Sequence, residues 1–554
     1  MEIIKLSKNK LYILIITLSS LSIFLPFLGS IHLFDWDEIN FAESAREMLV
    51  SGNIAQVQIN YEPFVEKPPL FIWIQALSMM VFGVNEFAAR LPNAILGFVT
   101  LLTFYFIGRK LYNERFGFLW ALSFFGSILP NLYYKSGIID PLFNYFIFLS
   151  VFWIFYSIRL TDKSTLYIFI AGLFSGLAIL AKGPLGIILI ILTILVYLIL
   201  KKSIKIISLK NLFVFFLTAL LISSIWYVII ILNNGPEFLL NFIQYQIRIF
   251  TTSDAGHGQP FYYHFVVIAI GCFPISIFAL KNLIPSGLFK MPRKITENEN
   301  KSDFINWMQI LFWVVMILFS ISVTKIVHYS SLAYFPLSFL AAVYLNGILE
   351  KKQQINQFIF IILIIAGSII SFFITMLPIL FYYKESIYNY LKDPFAISCL
   401  KTPVEWGGYE FLIGIIYIIA LIYALHQVRF TNLLRGLYIL FFSTALTVFF
   451  FLIIVAPKIE NYTQRPAIEF YKKYCGQDVY MTSLGYKSYA QYFYFKTPMY
   501  LNSNAREIEW LLSGIIDKPV YFVTKTTYME ELTKYPDIKL IEQKGGYALF
   551  YRPK

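Results

Sequence analysis

The sequence predicts a polytopic α-helical membrane protein with a small α/β domain at its C-terminal end. Three observations predict it. The 554 residues are 58% hydrophobic and only 14% charged, whereas an ordinary soluble domain carries about 25% charged residues. Apolar runs of membrane-spanning length, about 20 residues, recur along the chain. The last hundred or so residues lose that character and alternate short helix-prone and strand-prone stretches, ending in the aromatic Tyr547–Arg552.

The formal net charge of +13 would suggest nucleic acid as the partner of a soluble chain. Here Lys and Arg concentrate in loops between apolar runs, as the positive-inside rule expects, and no nucleic-acid partner is expected. Cys272, Cys399 and Cys475 form no CxxC pattern and suggest neither a disulfide framework nor a thiolate metal cluster. The N-terminal residues precede a long apolar run without a convincing small-residue cleavage site, so the run reads as a retained first span.

Span 1 covers about 11–31, and Lys5, Lys8 and Lys10 before it place the N-terminus in the cytoplasm. Residues 32–93 then form an outer loop. Within it, Ile39, Ala42, Ala45 and Leu49 recur near the helical period, which predicts a helix over Asp37–Leu49 stopped by Ser51-Gly52-Asn53. Leu70–Phe82 is a second short amphipathic or re-entrant piece, and Pro68-Pro69 before it rules out one continuous helix. Spans 2 to 4 follow at about 94–108, 112–132 and 139–158. Spans 5 and 6, about 165–181 and 185–200, are joined by the tight Lys182-Gly183-Pro184 connection.

Span 7 covers about 210–232, and 233–261 is a second outer loop. Spans 8 to 11 lie at about 262–280, 305–323, 328–347 and 357–379. A third outer loop covers 380–408, and spans 12 and 13 about 409–425 and 436–456. About thirteen spans divide the chain into a transmembrane module, 1–456, and an extracytoplasmic α/β domain, 457–554. In that domain Ala467–Tyr474, Asp478–Met481, Tyr489–Phe495, Arg506–Ser513, Val520–Val523, Thr527–Leu532 and Ile538–Glu542 read as alternating helices and strands.

Once sides are assigned, the basic residues left outside stand out: Lys67, Arg90, Lys135, Lys182, Arg248 and Lys325. Asp37, Glu38, Glu66, Asp140, His257 and His328 fall on the same side. Anchoring to lipid headgroups would account for Lys135 or Arg248 taken singly. It accounts poorly for Asp140 against span 4, or for Lys182 in a short joint between apolar spans, where an ionised group needs a partner or water. A shared polar cleft at the outer membrane–water boundary explains them together. Its cations suit a phosphate and its oily surroundings a lipid tail, so a polyprenyl-phosphate-linked donor is the natural ligand. One carboxylate would serve as general base toward an acceptor. Glu66 and His257 are ligand types that zinc accepts, and carboxylates alone would favour magnesium or manganese. No organic cofactor is expected.

The ordered motifs resemble those of bacterial GT-C membrane glycosyltransferases, in the family of dolichyl-phosphate-mannose–protein mannosyltransferase-like enzymes and lipid A aminoarabinose transferases. They are Asp37-Glu38 with Phe41-Ala42-Glu43, Glu66-Lys67-Pro68-Pro69-Leu70 with Trp73, and Phe82-Gly83, Glu86 and Arg90-Leu91-Pro92. Asp140-Pro141, Lys182-Gly183-Pro184, His257 ahead of Pro260-Phe261-Tyr262-Tyr263, and Lys325 with Tyr329 and Pro336 continue the series.

The resemblance implies sugar transfer from a polyprenyl phosphate at the periplasmic face of the bacterial inner membrane, by a chain acting as a monomer among membrane lipids. The acceptor would be a protein, glycan or lipid, with transfer of 4-amino-4-deoxy-arabinose to lipid A as the alternative. A lipid-linked glycan ligase or polymerase and a transporter fit less well. By this resemblance Asp37 is the leading catalytic carboxylate, with Asp140 and Glu38 beside it. Lys67 and Arg248 would hold the donor phosphate, and Arg90, Lys182, Lys325 and Tyr329 complete the substrate-binding set. Glu66 and His257 would bind zinc. The resemblance assigns no role to His328.

Overall fold

The structure is a computed structural model, which describes residues 7–159, 161–202, 207–252, 258–284, 297–351 and 354–554. Among them nine helices are long and apolar enough to cross a bilayer, from Glu86–Leu111 to Leu433–Tyr462. The pair Tyr263–Gly271 and Ile275–Asn282, bent by 111°, adds a tenth if it is one span. Span 8 was expected as one continuous helix. The bend falls at Gly271-Cys272-Phe273-Pro274, where proline removes a helical donor.

The expected spans 1, 3 and 6 fall on shorter helices. Lys8–Phe24 has 17 residues and Leu185–Leu200 has 16. Span 3 is divided into Glu114–Phe125 and Ile128–Tyr133. At 1.5 Å rise per residue, none of these pieces alone reaches across about 30 Å of hydrocarbon. Close packing accompanies the division: a Cβ on Gly126 would clash with Phe441.

The first outer loop holds the two expected short helices, Asp37–Ser51 and Leu70–Phe82. Gly52, at φ 71°, ends the first in the left-handed conformation that glycine favours. The following span starts earlier than expected, at Glu86, because the Asn85 side chain caps it by accepting from the Ala88 N–H. Arg90 and Pro92 therefore lie inside a helix rather than in the loop. The second outer loop holds an unforeseen amphipathic helix, Glu237–Thr251. Phe238 and Phe242 are buried on one side of it, while Leu240, Ile243, Ile247 and Phe250 are exposed.

Two short strands, β1 (Gln58–Ile59) and β2 (Glu62–Pro63), form a hairpin in the first outer loop. The C-terminal residues form β3 (Tyr480–Leu484), β4 (Val520–Lys525), β5 (Lys539–Lys544) and β6 (Tyr547–Arg552), in the order β3-β4-β6-β5. Strand β3 is parallel to β4, and the other pairs are antiparallel. Strand alternation gives the sheet two uses. The paired Val523 and Leu549 join the main core, while the paired Phe522 and Phe550 belong to a separate core on the opposite face.

A buried polar cluster fastens the Asp37–Ser51 helix to both the hairpin and the tail. Arg46 donates to both oxygens of Glu43, at 2.7 and 2.6 Å, and to the Thr497 carbonyl at 3.0 Å. Glu47 accepts from the Asn60 and Tyr61 N–H groups at 2.6 and 2.8 Å. Burial, then the adjacent Glu43, pushes the Glu47 carboxyl up to about 9 from its ordinary 4.5. The folded state therefore holds a proton that the unfolded chain releases, and stability falls as pH rises between those two values. Thermal unfolding of the detergent-solubilised chain should show a loss of Tm from pH 6 to pH 9 that Glu47→Gln reduces. Parallel pH dependences in the two proteins would contradict this.

Candidate active site

Four element ends converge at one end of the bundle. Asp37 opens the Asp37–Ser51 helix, Asp140 opens Asp140–Arg159, Lys182 closes Ser164–Lys182, and His328 lies in the 3₁₀ turn Val327–Ala333. Carboxylates at helix N-termini and a lysine at a C-terminus match the helix dipoles. The side chains form a charged chain. His328 Nε2 lies 3.1 Å from Asp37 Oδ2 and 3.9 Å from Asp140 Oδ2, and Lys182 Nζ donates to Asp140 Oδ1 at 2.6 Å.

These residues line a cavity of about 1150 Å³ together with Glu66, Lys67, Tyr245, Arg248 and Tyr329. Lys67 Nζ and the Arg248 guanidinium both approach the Tyr245 ring, at 5.7 and 5.0 Å from its centroid. Lys182 Nζ stands 5.2 Å from the Tyr329 ring centroid. Asp37 keeps 34% of its side-chain surface open although it lies deep in the protein, as it lines the cavity. Burial alone would raise its pKa. The hydrogen bond and charge of His328, followed by Lys67 and Lys182, outweigh that and hold the carboxyl well below the usual range.

The backbone before Asp37 is unusual. Trp36 has φ 78° and ψ −86°, a conformation that bulky residues rarely adopt and that concentrates at functional sites. The tail braces it. Asp35 Oδ1 accepts from the Tyr489 N–H at 3.1 Å, and Gln464 Nε2 donates to the Leu33 carbonyl at 3.0 Å. Asp35, an acid without a role in the sequence, is therefore an anchor between loop and tail.

Glu38 was expected to be catalytic and Arg90 to bind substrate. Both border the cavity, but their polar atoms are committed elsewhere. Arg90 makes a two-pronged bond to Glu38, at 3.0 and 2.8 Å, and donates to the carbonyls of Leu28, Ile31 and His32. Glu38 also accepts from the Phe34 and Gly137 N–H groups. The pair is a buried joint that positions its neighbours. Lys325, also expected to bind substrate, is 5% exposed, donates to the Ser322 carbonyl and is not among the residues lining the cavity.

Glu66 is half-buried on the cavity wall, while its expected metal partner His257 lies outside the described residues. Among the described residues no three His, Cys, Asp or Glu side chains gather as a metal site.

Other lining residues escaped the sequence reading. Gln464, Tyr486, Lys487, Ser488, Lys525 and Tyr547 bring the C-terminal part of the chain over the cavity. Lys487 Nζ lies 4.9 Å from the Trp36 ring and Lys525 Nζ 4.6 Å from the Phe395 ring. The aromatic–basic run Tyr486-Lys487-Ser488-Tyr489 was the available signal. Lys135 also lines the cavity but donates to the carbonyls of Ile23 and Pro26, at the end of the first helix and just beyond it.

Residues 66–228 match the family model described as dolichyl-phosphate-mannose-protein mannosyltransferase. The chain is 28% identical to an uncharacterised protein of Aquifex aeolicus over 68% of its own length and 72% of the relative's. It is 26% identical, over 73% of its length and 70% of the relative's, to an undecaprenyl phosphate-alpha-4-amino-4-deoxy-L-arabinose arabinosyl transferase of Wigglesworthia glossinidia brevipalpis. The crystal structure of ArnT from Cupriavidus metallidurans bound to undecaprenyl phosphate superposes with a TM-score of 0.76 at 16% identity, covering 98% of each chain. The archaeal oligosaccharyltransferase AglB of Archaeoglobus fulgidus, in complex with an inhibitory peptide and a dolichol-phosphate, reaches 0.50 at 10% identity, covering 95% of this chain and 71% of the other.

The Glu38–Arg90 pair makes a test. Arg90→Ala would leave Glu38 charged and buried without its partner, a loss on the order of 3–5 kcal/mol. Its Tm in detergent should fall sharply, and folded yield with it. A variant with native stability and impaired substrate binding alone would restore Arg90 to the substrate-binding set.

Proposed function

We infer that this chain is a polytopic GT-C glycosyltransferase that moves a sugar from a polyprenyl phosphate donor, at the outer face of the bacterial inner membrane, to an acceptor that is already anionic. The family resemblance read from the motifs is borne out by the family-model match, the named relatives and the ArnT-like fold. The observation that carries the chemistry is Asp37, hydrogen-bonded to His328 inside a cavity also lined by Lys67, Lys182 and Arg248.

Lys67 and Arg248 stand together on the wall and suit the donor phosphate, whose charge grows as the sugar leaves. In transfer, an acceptor oxygen forms a bond to the anomeric carbon. The bond from that carbon to the phosphate oxygen breaks, and its electron pair leaves with the phosphate. A phosphate leaving group needs no general acid. Asp37 remains ionised because its pKa is held low, and the same field makes it a weak base. Its charge is better used to stabilise positive charge developing on the sugar.

An acceptor phosphate brings its own negative charge and needs no proton removed. The aromatic and lysine side chains on the tail, Tyr486, Lys487, Lys525 and Tyr547, fit an anionic carbohydrate with flat sugar faces. The aminoarabinose relatives support the same reading, which makes lipid A the leading acceptor. The second reading is a hydroxyl acceptor on protein or glycan. It is supported by the mannosyltransferase family match and requires Asp37 to gain basicity once donor phosphate draws on Lys67.

The proposal places the N-terminus in the cytoplasm and residues 457–554 outside. The latter line one cavity with the first outer loop, so the two lie on the same side. A divalent ion on Glu66 and His257 remains part of the proposal; it would add positive charge beside the donor.

Asp37→Asn preserves shape and removes charge. Sugar transfer in vesicles containing the full chain should fall on the order of 10²–10³-fold, with membrane insertion and Tm close to those of the wild type. Near-normal transfer would overturn the assignment.

A further inference from the structure

His328 holds a place that the reaction outlined above does not use. Its Nε2 faces carboxylate oxygens of both Asp37 and Asp140, at 3.1 and 3.9 Å. Ionised carboxylates only accept hydrogen bonds, so Nε2 carries a proton directed at this pair. The ring stands edge-on to the Tyr329 ring, 5.4 Å away. The two carboxylates are held unequally. Asp140 is clamped by Lys182, is 6% exposed, and sits on a long helix. Asp37 is 34% exposed and follows the unusual Trp36 backbone.

We propose that His328 is the positioning residue that ties the open carboxylate, Asp37, to the clamped one, Asp140, so that Asp37 presents one fixed orientation to the sugar. This rests on Asp37 being the reacting carboxylate. His328 does not act as a general base here, because the nitrogen nearest the site is protonated and committed to carboxylates. The other charged or titratable groups around it are Asp37, Asp140 with Lys182, Tyr329, and, from neighbouring elements, Lys67, His264 and Lys325. His264 is itself engaged with Ser330 Oγ at 3.1 Å.

The test compares wild type, His328→Gln, His328→Phe and Asp37→Asn as full chains in nanodiscs. The donor probe is undecaprenyl-phosphate-linked aminoarabinose and the acceptor probe is lipid A. His328→Phe keeps the ring and removes the donor: kcat should fall at least about 30-fold while KM for the donor stays within about 3-fold, as expected when orientation rather than binding is lost. His328→Gln keeps an N–H that can reach a carboxylate; it should recover part of kcat.

A readout independent of turnover is the ring ¹⁵N resonance of His328, assigned by its absence in His328→Gln. It should move in both Asp37→Asn and Asp140→Asn. A resonance unmoved by either variant overturns the proposal. So does a His328→Phe enzyme with wild-type kcat, a change confined to KM, or a His328→Gln enzyme no more active than His328→Phe. Full activity in Asp37→Asn would instead remove the catalytic reading on which the proposal rests. Absence of transfer in the wild type would reject the choice of donor and acceptor, and the resonance would still decide the contact.

Discussion

The ion pair between Glu38 and Arg90 is the joint on which the site depends. Each of its polar atoms is used. Through Arg90 it gathers the carbonyls of Leu28, Ile31 and His32, and through Glu38 the N–H groups of Phe34 and Gly137. It therefore joins the end of the first apolar segment, the start of the outer loop, the helix Glu86–Leu111 and the approach to Asp140. Asp37 is the residue before Glu38, and Asp140 comes three after Gly137. A buried pair of this kind adds little net stability compared with apolar packing, but removing one partner is costly. Here its consequence is geometric: it sets where two cavity-lining carboxylates, Asp37 and Asp140, begin their helices.

The C-terminal part of the chain is the second support. Its sheet gives one face to its own small core and the other to the main body. Hydrogen bonds from Gln464 and Tyr489 hold residues 33–35, and Arg46 reaches Thr497. The same part supplies Lys487 and Lys525 to the cavity. Bracing the loop and lining the cavity are thus tasks of one part of the chain, which explains why a domain without an evident motif of its own sits over the most charged stretch of the chain.

Much of this was legible in the sequence. Hydropathy locates the apolar helices, and the period of Ile39, Ala42, Ala45 and Leu49 identifies the first loop helix. The sidedness of charge isolates Asp37, Asp140, Lys182, Lys67 and Arg248, which line the cavity. Other features were not legible, for physical reasons. Hydropathy does not report a break such as Gly126-Ser127 or the bend at Pro274, because both sides remain apolar. Motif membership does not separate Asp37 from Glu38, since adjacent carboxylates face different partners once the helix forms. Lys325 shares the sidedness of the site lysines, yet its side chain donates to the Ser322 carbonyl. The lining contributed by residues 464–547 depends on how the tail folds back, a long-range contact without a local sequence signature.

The central claim is that this chain transfers a sugar from a polyprenyl phosphate onto an anionic envelope lipid. Mass spectrometry of the lipid A fraction, from cells with and without the gene, tests it most directly. The account predicts a lipid A species heavier by one sugar, bonded to a phosphate, that is present with the gene and lost without it. Identical lipid A spectra, with the sugar increment found instead on protein or polysaccharide, would contradict it.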